Sequence, residues 1–154
     1  PIGDATRLNL LEGAYWALGA DWSASGSDVV HADGDESAVG LPIVTEAGKH
    51  YRLAFRTSEV SAGTLTPRLA GGSLRVGTSV STNGRYLDRL QAVTGNDTLE
   101  WLASSDFVGT LSEPVAFVET AACLEQGIHY VWLEPRNEDD VAGPTSGPFE
   151  VLIV

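Results

Sequence analysis

The chain has 154 residues, which is enough for one domain to bury its own hydrophobic core. Its 21 acidic and 9 basic side chains give a net charge of -12, which argues against nucleic acids and anionic membranes as partners, because both bind positive surfaces. The single cysteine, Cys123, cannot form an internal disulfide, and its apolar neighbours indicate a small buried side chain.

Targeting segments are not evident in the sequence. Every apolar run is shorter than the roughly 18 residues that a membrane-spanning helix needs. Residues 1–7 lack the basic and apolar regions of a signal peptide, so we expect a protein made in the cytoplasm and not exported. Pro1 as first residue fits removal of an initiator Met, or trimming of a longer chain.

The first third of the chain predicts short strands separated by polar turns. Residues 1–7 have no pattern and are predicted to form an N-terminal arm. Residues 8–20 favour a strand over a helical turn, because glycines bracket short apolar stretches. Beyond a polar loop at 23–27, Val29 and Val30 begin a brief strand and residues 31–36 form an acidic turn. Residues 39–44 predict another strand, which Pro42 places at a sheet edge.

The middle of the chain has the clearest strand pattern. Tyr51, Leu53 and Phe55 alternate with polar or small residues, as in a strand with one wet face. Residues 63–69 and 74–80 also alternate, and the Asn83-Gly84 dipeptide predicts a type I′ hairpin turn. Further strands are predicted over 86–92, 99–103 and 114–118, with a turn at 95–97.

The pattern changes near Thr120. Residues 128–133 predict a long strand, 135–148 a polar loop and 149–154 a terminal strand. Roughly ten short strands at this spacing predict an all-β fold, an antiparallel jelly-roll-like β-sandwich with an appended C-terminal β-hairpin. We expect three parts: the arm at 1–7, the sandwich at 8–119, and a hairpin extension at 120–154 packed on the sandwich.

Catalysis is not indicated. A Gly-x-Ser-x-Gly motif, which would position a serine nucleophile, is absent from the sequence, and the three histidines are scattered. Acidic residues are numerous, but the sequence singles out no two of them as the pair that glycoside hydrolysis requires. We therefore predict that the protein is not an enzyme.

Acidic clusters offer the candidates for a metal site. Asp33, Asp35 and Glu36 place three carboxylates within four residues, a set that Ca²⁺ could bind together with backbone carbonyls. The spacing is not that of an EF-hand loop, and the alternative is a solvated turn. A second cluster, Glu134 with residues 138–140, is interpreted as a solvated loop. Beyond this Ca²⁺ site, no cofactor is predicted.

Aromatic side chains are the candidates for ligand contact, because sugar rings stack on them while polar neighbours bind hydroxyls. Trp22 beside Asp21 is predicted to be an exposed platform, and the alternative is that it packs beneath a loop or against a partner. A further glycan contact is predicted at Asn83, Arg85 and Tyr86. Of the other aromatic residues, one of the adjacent pair Tyr15 and Trp16 is expected near the surface, and two are predicted to be core: Trp101 and Trp132.

Residues 10–118 resemble the jelly-roll carbohydrate-binding modules of families 4 and 9. The elements that carry the resemblance are Trp22 in a polar loop, the Gly-x-x-Tyr-x-Leu-x-Phe strand at 48–55, Gly84-Arg85-Tyr86, and residues 99–109 before a closing strand. In that family the closing strand usually ends in Asp-x-Val, where this chain has Glu113-Pro114-Val115. The resemblance implies a glycan groove near Trp22.

Residues 127–137 and 143–149 are similar to segments of small tailed-bacteriophage virion proteins. This resemblance implies a non-enzymatic virion structural protein, a capsid decoration or tail accessory component, with other virion proteins, copies of itself and host-surface polysaccharide as partners. The arm at 1–7 and the apolar residues 152–154 would then contact neighbouring subunits. The alternative function is a stand-alone carbohydrate-binding module, and the two can coexist.

Overall fold

The structure is a computed structural model that describes residues 9–119, 127–136 and 141–153. It divides the chain into two compact units, residues 1–119 and residues 120–154. The described residues contain no helix long and apolar enough to cross a membrane. The strands are β1 Trp22–Ser25, β2 Asp28–His31, β3 Ser37–Pro42, β4 His50–Ala62, β5 Leu65–Gly71, β6 Arg75–Val76, β7 Gly84–Gln91, β8 Asn96–Ala103, β9 Val108–Val118, β10 Gly127–Leu133 and β11 Ser146–Ile153.

The first unit is an antiparallel β-sandwich of two sheets. The five-stranded sheet has the order β1-β2-β9-β4-β7, and the four-stranded sheet has the order β3-β8-β5-β6. Consecutive strands repeatedly lie in different sheets, so the chain crosses between the layers as jelly-roll topologies do. The all-β, jelly-roll-like sandwich predicted from the alternating apolar residues is confirmed.

The hydrophobic core is a single cluster built from the inward side chains of both sheets. Phe55 of β4 and Trp101 of β8 meet edge to face, with ring centroids 5.8 Å apart, and both are fully buried. Trp16 packs against the same Trp101 ring at 5.8 Å, while its neighbour Tyr15 is 88% exposed. The predicted burial of Trp101 and the surface position of one of this aromatic pair are confirmed.

Four predicted local structures are wrong, and the first is the polar loop at 23–27, because residues 23–25 belong to β1. Within 8–20, residues 10–13 form a turn and Ala17 makes an isolated bridge with Gly40, so there is no regular strand in the described part. The strand expected at 74–80 is reduced to β6, with a separate bridge between Leu65 and Val80. Gly84 opens β7, which pairs with β4 in the other sheet. The chain changes sheets between β6 and β7, so Asn83-Gly84 does not close a hairpin.

The described part of the second unit is an antiparallel hairpin of β10 and β11. Its register places Tyr130 opposite Glu150 and Val131 opposite Phe149, with an irregularity before Leu133. Trp132, predicted to be core, is 57% exposed, because a two-stranded hairpin has no second layer of its own to cover it. The packing predicted between hairpin and sandwich stays a prediction. The N-terminal arm at 1–7, Cys123 and residues 138–140 lie outside the described residues.

Candidate functional site

A row of polar side chains crosses the outer face of the five-stranded sheet. Arg56 of β4 lies between the buried residues Phe55 and Thr57, so its side chain points away from the core. Its Cα partners are Ser112 on β9 and Arg85 on β7. Directly opposed residues of an antiparallel pair share a face, so these three side chains stand side by side.

The same row continues onto β2. Val29 lies opposite Leu111, so Asp28, one residue earlier, falls beside Ser112. We call Asp28, Ser112, Arg56 and Arg85 the cleft row. It crosses four neighbouring strands, and three strand spacings correspond to about 14 Å. That length suits an oligosaccharide or another extended polar ligand better than a single small molecule.

A cleft of about 400 Å³ opens on this face. Two carboxylates, one guanidinium and three hydroxyls line it: Ser27, Asp28, Arg56, Ser58, Ser112 and Glu113. Ser112 is only 7% exposed and lies at the bottom, whereas Arg56 and Glu113 are exposed. The volume falls within the roughly 300–1,000 Å³ of small-molecule sites, but here every lining side chain is polar.

A β-bulge in β9 places Glu113 at the cleft. Ala54 pairs with Val115 and Arg56 pairs with Ser112, so β9 has one more residue than β4 between these two pairs. Glu113, in the extra stretch, has a φ of 52°, which is unfavourable for a residue with a Cβ atom. Bulges re-aim side chains and are frequent beside binding sites, and backbone strain that persists in a fold often marks a functional position.

A second irregularity lies at the far side of the same two strands. The register between β4 and β9 shifts after Ser58, and Glu59 there has a φ of 56°. The Glu59 carboxylate accepts a hydrogen bond of 3.2 Å from the Thr110 hydroxyl. The amide of Val60 donates to the Asn83 side-chain oxygen at 2.8 Å, which fixes the end of β7 beside the bulge. Two glutamates with positive φ therefore lie on these strands: Glu113 lines the cleft, and Glu59 follows the lining residue Ser58.

The cleft offers free donors and acceptors. Asp28 accepts a hydrogen bond of 3.1 Å from the hydroxyl of Ser27. Within the part of the chain that the structure describes, Arg56 and Glu113 have neither a hydrogen-bond nor an ion-pair partner for their side chains. Serine hydroxyls both donate and accept, carboxylates accept, and a guanidinium donates several bonds in one plane. This set can bind a ligand whose hydroxyl groups also donate and accept.

A second pair of arginines on the same face has an internal counter-ion. Arg52 and Arg89 are Cα partners, and Glu119 bridges them, with Oε1 2.9 Å from Arg52 Nη2 and Oε2 2.6 Å from Arg89 Nε. The hydrogen bond from Arg89 is the main cause of a lowered pKa for Glu119, and the bond from Arg52 is the next. All three side chains are partly exposed.

Comparisons with known proteins assign no family. The sequence matches no protein-family profile and no curated protein. Among solved structures, the fold is similar to one described as "Carbohydrate binding module family29", with 10% sequence identity and a TM-score of 0.45. The similarity covers 68% of this chain and 76% of that chain. A likeness at this level carries no argument about what this chain binds.

Trp22 is not the exposed platform that the sequence predicted. Its side chain is 6% exposed and joins the core cluster, where it meets His31 at 4.9 Å and Phe107 at 6.4 Å between ring centroids. Its indole N–H donates to the carbonyl of Ser37 at 3.4 Å. β1 is an edge strand whose inner face closes over the core, so the alternative of packing beneath a loop agrees better with the structure.

Asp21 organises the acidic turn. Its Oδ2 accepts a hydrogen bond of 2.7 Å from the amide of Asp35, and its own backbone has a φ of 61°. The three predicted calcium ligands lie in that turn: Asp33, Asp35 and Glu36. Among residues 9–119, 127–136 and 141–153, no three His, Cys, Asp or Glu side chains form a group that could hold a metal ion. The predicted Ca²⁺ site, which also includes backbone carbonyls, stays a prediction.

The remaining predicted contacts lie at the other edge of the sheet. Tyr86 faces inward, with its ring 5.7 Å from Phe55 and its hydroxyl donating to the carbonyl of Thr82 at 2.8 Å. Arg85 faces outward and belongs to the cleft row, and Asn83 sits just before β7. Four strand spacings, about 19 Å, separate this edge from the edge that holds Trp22. The structure thus splits the predicted glycan set into two distant groups.

Sequence reasoning predicted none of the residues that line the cleft. Its lining comes from three separate strands and a turn, and the missed residues are Ser27, Asp28, Arg56, Ser58, Ser112 and Glu113. Two signals pointed toward it. The alternation in β4 marked an outward face that includes Arg56, and the Glu113-Pro114 dipeptide marked an irregular point in an otherwise regular strand.

Proposed function

We propose that the first unit is a non-catalytic carbohydrate-binding module that holds an oligosaccharide in the cleft on the outer face of the five-stranded sheet. The observation that carries this proposal is the wholly polar lining of the cleft, in which a turn and three strands bring hydrogen-bond donors and acceptors together. Sugar hydroxyls can satisfy both kinds of group at once. A ligand without many hydroxyls would leave carboxylates and a guanidinium desolvated and unpaired, which is costly.

The apolar faces of sugar rings also have a place to pack. Ala54, two residues before Arg56 on β4, also points to the outer face. Its Cα partners there are Val115 on β9 and Leu87 on β7. Leu87 is 80% exposed, so its side chain is accessible to a ligand. A row of hydrogen-bonding groups beside a row of apolar groups matches the hydroxyl rim and C–H face of a pyranose ring.

A binding role fits this cleft better than a catalytic one. A general acid for glycoside hydrolysis is a carboxyl group kept in a desolvated pocket, where its acid form persists at neutral pH. Glu113 is exposed, and Asp28 is half-buried and shares a hydrogen bond with Ser27. Neither carboxylate is enclosed.

Affinity electrophoresis through gels that contain soluble polysaccharides tests the proposal. The panel includes neutral chains (xylan, glucomannan, mixed-linkage glucan) and uronate chains (pectate, alginate). We expect retardation by at least one polysaccharide, and a loss of about tenfold in affinity for Asp28→Asn and Glu113→Gln, since each removes hydrogen bonds to a charged group. Glu12→Gln, in the exposed turn before β1, is the control with the same charge change.

Two results would contradict the proposal. One is the absence of retardation by every polysaccharide in the panel, and the other is equal retardation of the cleft variants and the control. Release of reducing ends from a bound polysaccharide would show cleavage and so contradict the proposal that the unit is non-catalytic. The virion role and its partners remain predictions, because nothing in the described residues 9–119, 127–136 and 141–153 favours them.

A further inference from the structure

Two positive side chains stand opposite each other on the cleft face without a counter-ion. Arg56 and Arg85 are Cα partners on β4 and β7, and both are exposed. Like charges directly opposite in a sheet are unfavourable. Neither guanidinium has an ion-pair or hydrogen-bond partner in the part of the chain that the structure describes. In a chain of net charge -12, such a pair is conspicuous.

The same sheet contains a second pair in which the counter-ion is present. Four residues along β4, Arg52 is the Cα partner of Arg89, and the two oxygens of the Glu119 carboxylate each bind one of the two guanidiniums. The two arginine pairs have the same cross-strand geometry and lie on the same face. The Glu119 bridge therefore demonstrates, within this fold, where a carboxylate sits between two arginines on β4 and β7.

We infer that the cleft binds an acidic carbohydrate, with a uronate carboxylate of the ligand placed between Arg56 and Arg85 as Glu119 is placed between the other pair. This inference rests on the proposed function and narrows it to a class of glycan. The hydroxyls of the neighbouring sugar units would then reach Ser112, Asp28 and Glu113, which continue the cleft across β9 and β2.

The acidic residue of the cleft row does not prevent this. Asp28 is on β2, and a carboxylate between β4 and β7 lies two to three strand spacings from it, about 10–14 Å. That exceeds the Debye length of about 8 Å at physiological ionic strength, so the repulsion is largely screened. At contact distance the two guanidiniums dominate, because charge-assisted hydrogen bonds are short and strong.

The test compares matched ligands that differ only in charge. Oligosaccharides of galacturonate and of alginate uronates are titrated into the full chain by isothermal calorimetry, each as the free acid and as its methyl ester. We expect at least one free acid to bind about tenfold or more tightly than its ester. Arg85→Gln is expected to abolish that preference, and Arg85→Lys to restore part of it, since lysine keeps the charge but not the planar fork. Arg52→Gln is the control: Arg52 lies on the same face but is already paired with Glu119, so this variant should keep the preference for the free acid.

Each outcome decides one question. If acid and ester bind equally, or if Arg85→Gln keeps the preference, the inference is wrong while the proposed function stands. Binding of neutral polysaccharides alone also overturns the inference and leaves the proposed function intact. If neither uronates nor neutral polysaccharides bind, both are wrong. Circular dichroism of Arg85→Gln checks the fold; the side chain is exposed, so we expect no change.

Discussion

Replacing Glu113 by glycine separates backbone strain from ligand binding at the cleft. Glu113 has a φ of 52° in the β9 bulge, and its side chain is exposed. An L-residue in this left-handed region costs about 1–2 kcal/mol, which glycine avoids. Glycine loses about 0.5–1 kcal/mol more than alanine in conformational entropy on folding. The difference leaves Glu113→Gly more stable than the parent protein by about 0.5–1 kcal/mol.

Glu113→Ala is the matched control for this substitution. Alanine removes the same carboxylate but keeps a Cβ atom, so the strain remains. Because the side chain makes no hydrogen bond or ion pair within the described residues, its removal should change the free energy of unfolding by less than about 0.5 kcal/mol. Both variants should lose about tenfold in affinity for the bound polysaccharide, since each lacks the acceptor.

The assay is urea unfolding followed by tryptophan fluorescence. In a Trp132→Phe background, the signal arises from the first unit, where Trp16 and Trp101 pack together. The expected gain of about 0.5–1 kcal/mol for Glu113→Gly corresponds to roughly 2–4 °C in Tm for a unit of this size. If Glu113→Gly is no more stable than Glu113→Ala, the backbone of the bulge is not strained at this position. If both variants keep full affinity, the Glu113 carboxylate is not part of the binding site.

Other substitutions test the neighbouring structure. The pKa of Glu119 is lowered, chiefly by the hydrogen bond from Arg89 and then by the one from Arg52. The ionised carboxylate therefore stabilises the folded state at pH values above the ordinary glutamate pKa of about 4.3. This stabilisation is lost as the pH falls through the pKa that Glu119 has in the folded state. Glu119→Gln should therefore be less stable than the parent near pH 7, with the gap closing in acid; a gap that persists or widens in acid would contradict this assignment. Trp22→Ala should cost about 3–5 kcal/mol in thermal or urea unfolding and leave the affinity of the folded protein unchanged, because Trp22 is buried on the opposite face of the sheet from the cleft. Asp21→Ala should lower the free energy of unfolding by about 1 kcal/mol, and Asp21→Asn by less, since asparagine keeps an acceptor for the Asp35 amide and tolerates a φ of 61°. Equal losses for the two variants in urea unfolding would refute the role of Asp21 in holding this turn.

Local sequence patterns were sufficient to predict the fold class. The alternation of Tyr51, Leu53 and Phe55 with outward residues is read directly as one buried face, because successive side chains of a strand point to opposite sides. Trp101 was predicted to be core for the same reason, and it is fully buried. Alternation depends only on neighbours in the chain, so no knowledge of the tertiary structure is needed to use it.

Exposure of single aromatic residues was not predictable in the same way. Trp22 sits between polar neighbours in the sequence, yet the inner face of β1 closes over the core and buries it. Trp132 alternates like a core residue, yet it lies in a two-stranded hairpin and is 57% exposed. Each outcome depends on which layer packs over the strand, and that layer comes from elsewhere in the chain.

The cleft illustrates the division between sequence and tertiary structure most clearly. The sequence alone determined that β4 has an outward face bearing Arg52 and Arg56. Only the tertiary structure decided that Ser112 and Arg85 flank Arg56, because strand order and register join segments more than 25 residues apart. Register is set by how whole faces pack, and a shift of one residue would turn these side chains into the core.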